Sequence, residues 1–272
     1  MKEQDDKLLL GKNVPVAERY SPELLYPIAR QEAREAMGLE GALPFTGVDL
    51  WHAYELSWLD PRGKPVVRVG RFFIPADSPN MVESKSFKLY LNSLNGTRYP
   101  SESAVVDVLK RDLAAVVGAE IALELLPVDA LELQGGVPEG QCLDQLEIEV
   151  GDADPSADLL QCSQEVVEEN VYSHLLRSLC PVTGQPDWAT VYLHYRGRAL
   201  DHESLLRYLI AFRRHQEFHE QCVERMFFDL HGLLAPEFLE IQAFYTRRGG
   251  LDINPFRSTD PDAAPLSRMN RQ

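Results

Sequence analysis

No run of 18 or more apolar residues occurs in the sequence, so no segment reads as a membrane-spanning helix. The first residues, Met1-Lys2-Glu3-Gln4-Asp5-Asp6-Lys7, are charged and lead only into Leu8-Leu9-Leu10, too short for the apolar part of a signal peptide. The expectation is a cytoplasmic protein with no membrane partner. Positive charge is scarce: 27 Lys and Arg stand against 42 Asp and Glu, a net charge of −15. Such a surface repels phosphate backbones, so no nucleic acid is expected as a partner. The closest basic clusters, Arg213-Arg214 and Arg247-Arg248, suit one phosphorylated small molecule better than a duplex. The four cysteines, Cys142, Cys162, Cys180 and Cys222, form no C-x-x-C pair, which speaks against a disulfide framework. A G-x-G-x-x-G after a strand is also missing, since Leu133-Gln134-Gly135-Gly136 precedes no helical pattern. A Rossmann domain is therefore excluded as the binder of a nucleotide cofactor.

What is present is an ordinary globular composition, 44% apolar and 25% charged, in 272 residues. That length holds one large domain or two modules of about 130 residues. A helix is predicted from Pro22 to Met37 behind Ser21 as N-cap. Leu50 to Trp58 and Val66 to Ile74 read as a hairpin closed by Asp60-Pro61-Arg62-Gly63-Lys64. Two helices follow, one with Phe87, Tyr90, Leu91 and Leu94 on a face, one with Val105, Val108, Leu109 and Leu113. Strands are predicted at Ile121, Leu123, Leu125 and at Leu146, Ile148, Val150. After an acidic linker, 151–158, the order recurs. Strands at Val166–His174 and Ala189–Tyr195 precede a helix capped by Asp201, a second helix through Phe218, Cys222, Met226 and Leu230, and strands at Leu239–Tyr245 and Leu251–Ile253. The fold class is α+β with antiparallel sheets, read as two copies of a ββααββ unit. The expected organisation is an N-terminal helical extension over 1–46, a first module over 47–150 and a second over 151–272.

Cys180 lies in the run Ser178-Leu179-Cys180-Pro181-Val182-Thr183-Gly184-Gln185-Pro186-Asp187-Trp188. A cysteine on irregular backbone between two strands sits where scaffolds place reactive groups, and Asp187 follows at the mouth of the next strand. Thiol and carboxyl together supply a nucleophile and a proton donor or acceptor. The alternative is a small buried hydrophobe beside a turn-forming Asp. Another is an open zinc site, since His219 and Cys222 share a helix face and Cys180 could complete a set of three ligands.

This run resembles the active-site loop of the NADPH-dependent 7-cyano-7-deazaguanine reductases, the nitrile reductases of queuosine biosynthesis. Three more segments are similar to that family in the same order: Glu83-Ser84-Lys85-Ser86-Phe87-Lys88-Leu89-Tyr90, Phe218-His219-Glu220, and Arg247-Arg248-Gly249-Gly250-Leu251-Asp252-Ile253-Asn254-Pro255. The match is to the long, two-module form. The resemblance implies tandem tunnelling-fold modules, NADPH as cofactor, no metal in the reaction, a deazaguanine nitrile as substrate and a homodimer. It makes Cys180 the nucleophile and Asp187 the proton shuttle. Val82, Glu83, Ser84, His219 and Glu220 fall on the substrate, and Ser84, Lys85, Arg248 and Gly249 on NADPH, in a pocket formed where modules meet. Taken alone, Glu83 reads as a solvated helix-start carboxylate and His219 as a structural histidine. Two other readings stay open: a zinc-dependent cyclohydrolase-like enzyme using Cys180, His219 and Cys222, and a non-catalytic purine- or pterin-binding module.

Overall fold

The computed structural model describes residues 19–39 and 41–272. It is an α+β chain whose elements gather into two compact units. One comprises residues 19–36, 49–133 and 247–252 of those described, the other 37–48, 134–246 and 253–272. No helix among the described residues is long and apolar enough to cross a membrane, which says nothing of β-barrels.

In the first unit, β1 (Pro27–Ala29) pairs antiparallel with β4 (Asn80–Val82), with the short helix α1 (Gln31–Ala36) between them in sequence. The hairpin strands β2 (Thr46–Leu59) and β3 (Pro65–Pro75) turn at Asp60, whose Oδ1 accepts from the Arg62 and Lys64 amides. β5 (Ala122–Leu126) pairs antiparallel with β3. Helices α2 (Ser84–Ser93) and α3 (Glu102–Val117) supply the apolar face, and Phe87 of α2 packs edge-on against Trp51 and Phe72, at ring separations of 5.5 and 5.1 Å. Ser101 caps α3, and Gly118, at φ 76°, ends it in the left-handed conformation glycine adopts without strain.

In the second unit the strand order runs β10 (Leu251–Ser258, from Ile253 on), β9 (Phe238–Tyr245), β8 (Pro186–Leu200), β7 (Cys162–Leu179), β6 (Gln141–Cys142). β7, β8, β9 and β10 are successively antiparallel, and β6 joins β7 in parallel. α4 (His202–Ala211) starts at Asp201, whose Oδ1 accepts from Ser204 N at 2.8 Å, the predicted cap. α5 (His219–Leu234) follows. Leu205, Leu209, Met226 and Leu230 from these helices meet Val191, Leu193 and Ile241 of the sheet in one apolar interior.

Two expectations fail. The helix predicted over Pro22–Met37 is a single 3-10 turn (Pro22–Leu24), then β1, then α1. Pro27 offers no amide and forces Tyr26 to be extended, so the helical periodicity has no continuous backbone to ride on. The rest of the expected N-terminal extension, residues 1–18, lies outside the described residues. The strand predicted through Leu146, Ile148 and Val150 is irregular chain. Pairing in this stretch falls earlier, at Gln141–Cys142, and a turn from Leu143 to Leu146 carries the segment away from any strand partner.

Candidate active site

Within the second unit, the β7–β8 connection holds Cys180. Its amide donates to Gln185 O and its carbonyl accepts from Gly184 N, both at 2.9 Å, so the loop closes on itself. Gly184 makes this possible at φ 66°. Leu179 N donates to His215 O at 2.8 Å, which ties the strand end to the segment leading into α5. Cys180 is buried, 7% exposed. Asp187, also buried, pairs across the hairpin with Ser178, two residues before the cysteine.

His219 opens α5, and its Nε2 lies 3.4 Å from Asp187 Oδ2. Its ring stacks flat on Tyr245 of β9, with centroids 3.7 Å apart and planes within 7°. Nδ1 is buried without a hydrogen-bond partner. An orphaned polar atom of this kind costs free energy that a bound polar ligand recovers. Glu220 follows, buried to 4% exposure. The helix start is fixed by Gln221, whose Oε1 accepts from Phe218 N, and by Arg225, which grips Glu217. Burial pushes the Glu217 carboxyl up, but contacts from His215 and Arg225 outweigh it and hold the pKa below the ordinary value.

Cys222, deeper in α5, is fully buried, and burial drives its thiol far up, so the neutral form persists at neutral pH. Cys180, His219 and Cys222 do not bring three ligand atoms within 4.8 Å of one another, so the zinc reading loses its site.

In the first unit, Val82 ends β4 and Glu83 caps α2. Glu83 is not solvated: it is wholly buried, and its two carboxylate oxygens accept from Lys85 N at 2.8 Å and Ser86 N at 2.7 Å. Burial raises its pKa, and these two amides pull the other way. Ser84 and Lys85 form the first turn of α2, half-exposed. Arg248 and Gly249 sit in a tight turn closed by reciprocal backbone hydrogen bonds between Arg248 and Leu251, and Gly250 O accepts from Tyr54 N at 2.9 Å. A Cβ on Gly249 would stand 2.9 Å from Lys88 Nζ, so the turn and Lys88 of α2 share one place. Ala53, Glu55, Lys88, Asn92 and Gly249–Leu251 line a shallow pocket there. Lys88 Nζ lies 3.8 Å from Glu55 Oε2 there, beside glycine backbone that a phosphate-bearing cofactor such as NADPH can approach closely.

Sequence reasoning left several supports unassigned. Asp252, at 1% exposure, accepts from Tyr54 OH at 2.6 Å and pairs with His52 Nδ1 at 2.7 Å. Arg247 lies over the Tyr54 ring at 3.7 Å, so this network anchors the Arg248–Gly249 turn. Its only sequence signal was the place of Asp252 inside the Arg247–Pro255 motif. Tyr245 gave none.

Two family models match the chain. One described as "Nitrile reductase, 7-cyano-7-deazaguanine-reductase N-term" covers residues 16–125, and one described as "QueF-like protein" covers residues 186–263. The class these descriptions define is nitrile reductase. Proteins named NADPH-dependent 7-cyano-7-deazaguanine reductase align along nearly the whole length. That of Dechloromonas aromatica is 54% identical over 94% of this chain and 92% of its own. Those of Chromohalobacter salexigens and Desulfotalea psychrophila are 51% and 50% identical, each over 97% of this chain and 96% of their own. The chain belongs to the NADPH-dependent 7-cyano-7-deazaguanine reductase family. A crystal structure of an archaeosine synthase QueF-Like protein in the apo form aligns with 38% of this chain and 99% of its own, at 16% identity and a TM-score of 0.31.

Proposed function

We propose that this chain is an NADPH-dependent oxidoreductase that reduces the nitrile of 7-cyano-7-deazaguanine to the amine 7-aminomethyl-7-deazaguanine, in queuosine biosynthesis. The observation that carries the assignment of roles is the Asp187–His219 contact beside the Cys180 loop, with a buried imidazole nitrogen lacking a partner.

A nitrile carbon resists direct reduction. Cys180 attacks it as thiolate, forming the S–C bond while the nitrile nitrogen takes up a proton, and a covalent thioimide results. Asp187 is the proton shuttle: it takes the thiol proton and returns it to nitrogen. NADPH, once bound, would supply a hydride to the same carbon in each of two successive reductions, nitrogen taking up one solvent proton each time, so two are consumed per nitrile. Between them the tetrahedral adduct expels the Cys180 thiolate and leaves an imine, which the second reduction converts to the amine. His219, held flat by Tyr245, orients the reacting group. Glu83 and Glu220 each offer a carboxylate suited to adjacent N–H donors such as those of a guanine-like ring. Val82 and Ser84 flank Glu83 on the substrate. Ser84, Lys85, Arg248 and Gly249 hold the cofactor, with Lys85 and Arg248 meeting phosphate.

The same reading takes residues 47–150 and 151–272 as duplicated tunnelling-fold modules and the working enzyme as a homodimer. The repeated order of two long strands, two helices and a returning strand supports the duplication.

The test is NADPH oxidation by purified protein with 7-cyano-7-deazaguanine and no added metal. Two NADPH per nitrile with the aminomethyl product supports the assignment. No consumption, with or without zinc, overturns it.

A further inference from the structure

We propose that Cys142, Asp144 and His174 form a binding site for a divalent ion of the zinc class, separate from the residues assigned to reduction. The parallel register of β6 on β7 sets Cys142 against Tyr172, and Leu143 N donates to Tyr172 O at 2.9 Å. Continuing that register by two residues brings Asp144 to His174. The contact is made: Asp144 Oδ1 accepts from His174 N at 3.1 Å and from the Ser173 hydroxyl at 2.7 Å. Thr190 Oγ1, on the neighbouring strand β8, bonds His174 Nδ1 at 2.8 Å and fixes the ring plane.

The three side chains are half-buried, and their ligand atoms lie within 4.8 Å of one another. Bond lengths of about 2.0–2.3 Å place tetrahedral zinc ligands roughly 3.5 Å apart, so side-chain adjustments of about an ångström close the site. A thiolate, an imidazole and a carboxylate make the mixed donor set that zinc takes, whereas magnesium and calcium favour oxygen alone. Orientation of the imidazole by Thr190 and of the carboxylate by Ser173 is the outer support that metal ligands require. The fourth position is open to water.

Such an ion would staple the irregular 145–156 segment to the long strand β7. Its binding energy would then add to the stability of the second unit.

The test uses full-length protein carrying Cys180→Ser, so that the reactive thiol cannot contribute, stripped by chelator and titrated with cobalt(II). The expected result is one equivalent bound per chain, with a thiolate-to-cobalt charge-transfer absorption in the near ultraviolet that zinc displaces. Adding Cys142→Ser should abolish the absorption and weaken binding at least ~10–100-fold, the loss that removing even an outer support causes. Zinc should raise the melting temperature of the first protein and not of the second, while their metal-free melting temperatures coincide. Absence of cobalt binding, or an absorption that survives Cys142→Ser, overturns the proposal.

Discussion

Glu83 carries two duties that substitution can separate. Its oxygens cap α2 through the Lys85 and Ser86 amides, and its charge is proposed to accept the substrate's N–H donors. Glu83→Ala removes both acceptors from the helix start. Loss of an N-cap costs about 1–2 kcal/mol, which lowers the melting temperature by roughly 2–8 °C in a chain of this size. Glu83→Gln keeps one acceptor and orphans one amide, a cost of about 1 kcal/mol. In catalysis both variants lose the charge-assisted pair, about 1.5–3 kcal/mol, or roughly 10–150-fold in kcat/KM, mostly through KM. The pH dependence is signed. Burial lifts the Glu83 pKa above 4.5, so the folded state binds this proton more tightly than the unfolded chain. Its stabilising contribution is complete below 4.5 and is lost as the pH rises through the folded value. The stability gap between wild type and Glu83→Gln therefore narrows with rising pH. Thermal melts across pH and NADPH-oxidation kinetics read both duties. Unchanged kcat/KM in a folded Glu83→Gln protein would refute base recognition, and an unchanged melting temperature for Glu83→Ala would refute the cap.

Three further outcomes are expected. Asp187→Asn keeps shape but not proton transfer, so kcat should fall ~10²–10⁴-fold with the fold intact in circular dichroism; a wild-type rate removes Asp187 from the mechanism. Glu217, held below its ordinary pKa by His215 and Arg225, contributes stability that is present above 4.5 and lost as the pH falls through its folded value. Glu217→Gln should accordingly lose about 1–2 kcal/mol near neutrality and show a shallower acid-unfolding limb, whereas an unaltered limb would contradict that role. Tyr245→Leu should free the His219 ring, costing about 0.5–1.5 kcal/mol of aromatic contact and lowering kcat, while Tyr245→Phe preserves both; equal activity in the two would show that the stack does not matter.

Much of this architecture was legible because it is local. The Asp60 turn, the Asp201 cap and the start of α5 each rest on residues within a few positions of one another, where side-chain period and capping chemistry act directly. Pro27 was legible too, and the helical spacing across it misled only because spacing was read without the missing amide. The alternation Leu146–Ile148–Val150 shows a different limit. A strand exists only if another strand accepts its hydrogen bonds, and that partner is not encoded in the segment itself. The Cys180 loop and the Glu83, His219 and Arg248 motifs were visible in the sequence, but not their settings. That Glu83 is buried as a cap, that Tyr245 lies under His219, and that Asp252 joins His52 and Tyr54 depend on contacts distant in sequence.

The proposed reduction turns on Cys180 as a carbon nucleophile, and intact-protein mass spectrometry after mixing enzyme with 7-cyano-7-deazaguanine in the absence of NADPH tests it most directly. The expected result is a shift by the full mass of the nitrile, with nothing lost, mapping to Cys180, absent in Cys180→Ala and discharged as amine when NADPH is added. An unmodified protein that still turns over, or a Cys180→Ala enzyme reducing nitrile at a comparable rate, would contradict the covalent mechanism.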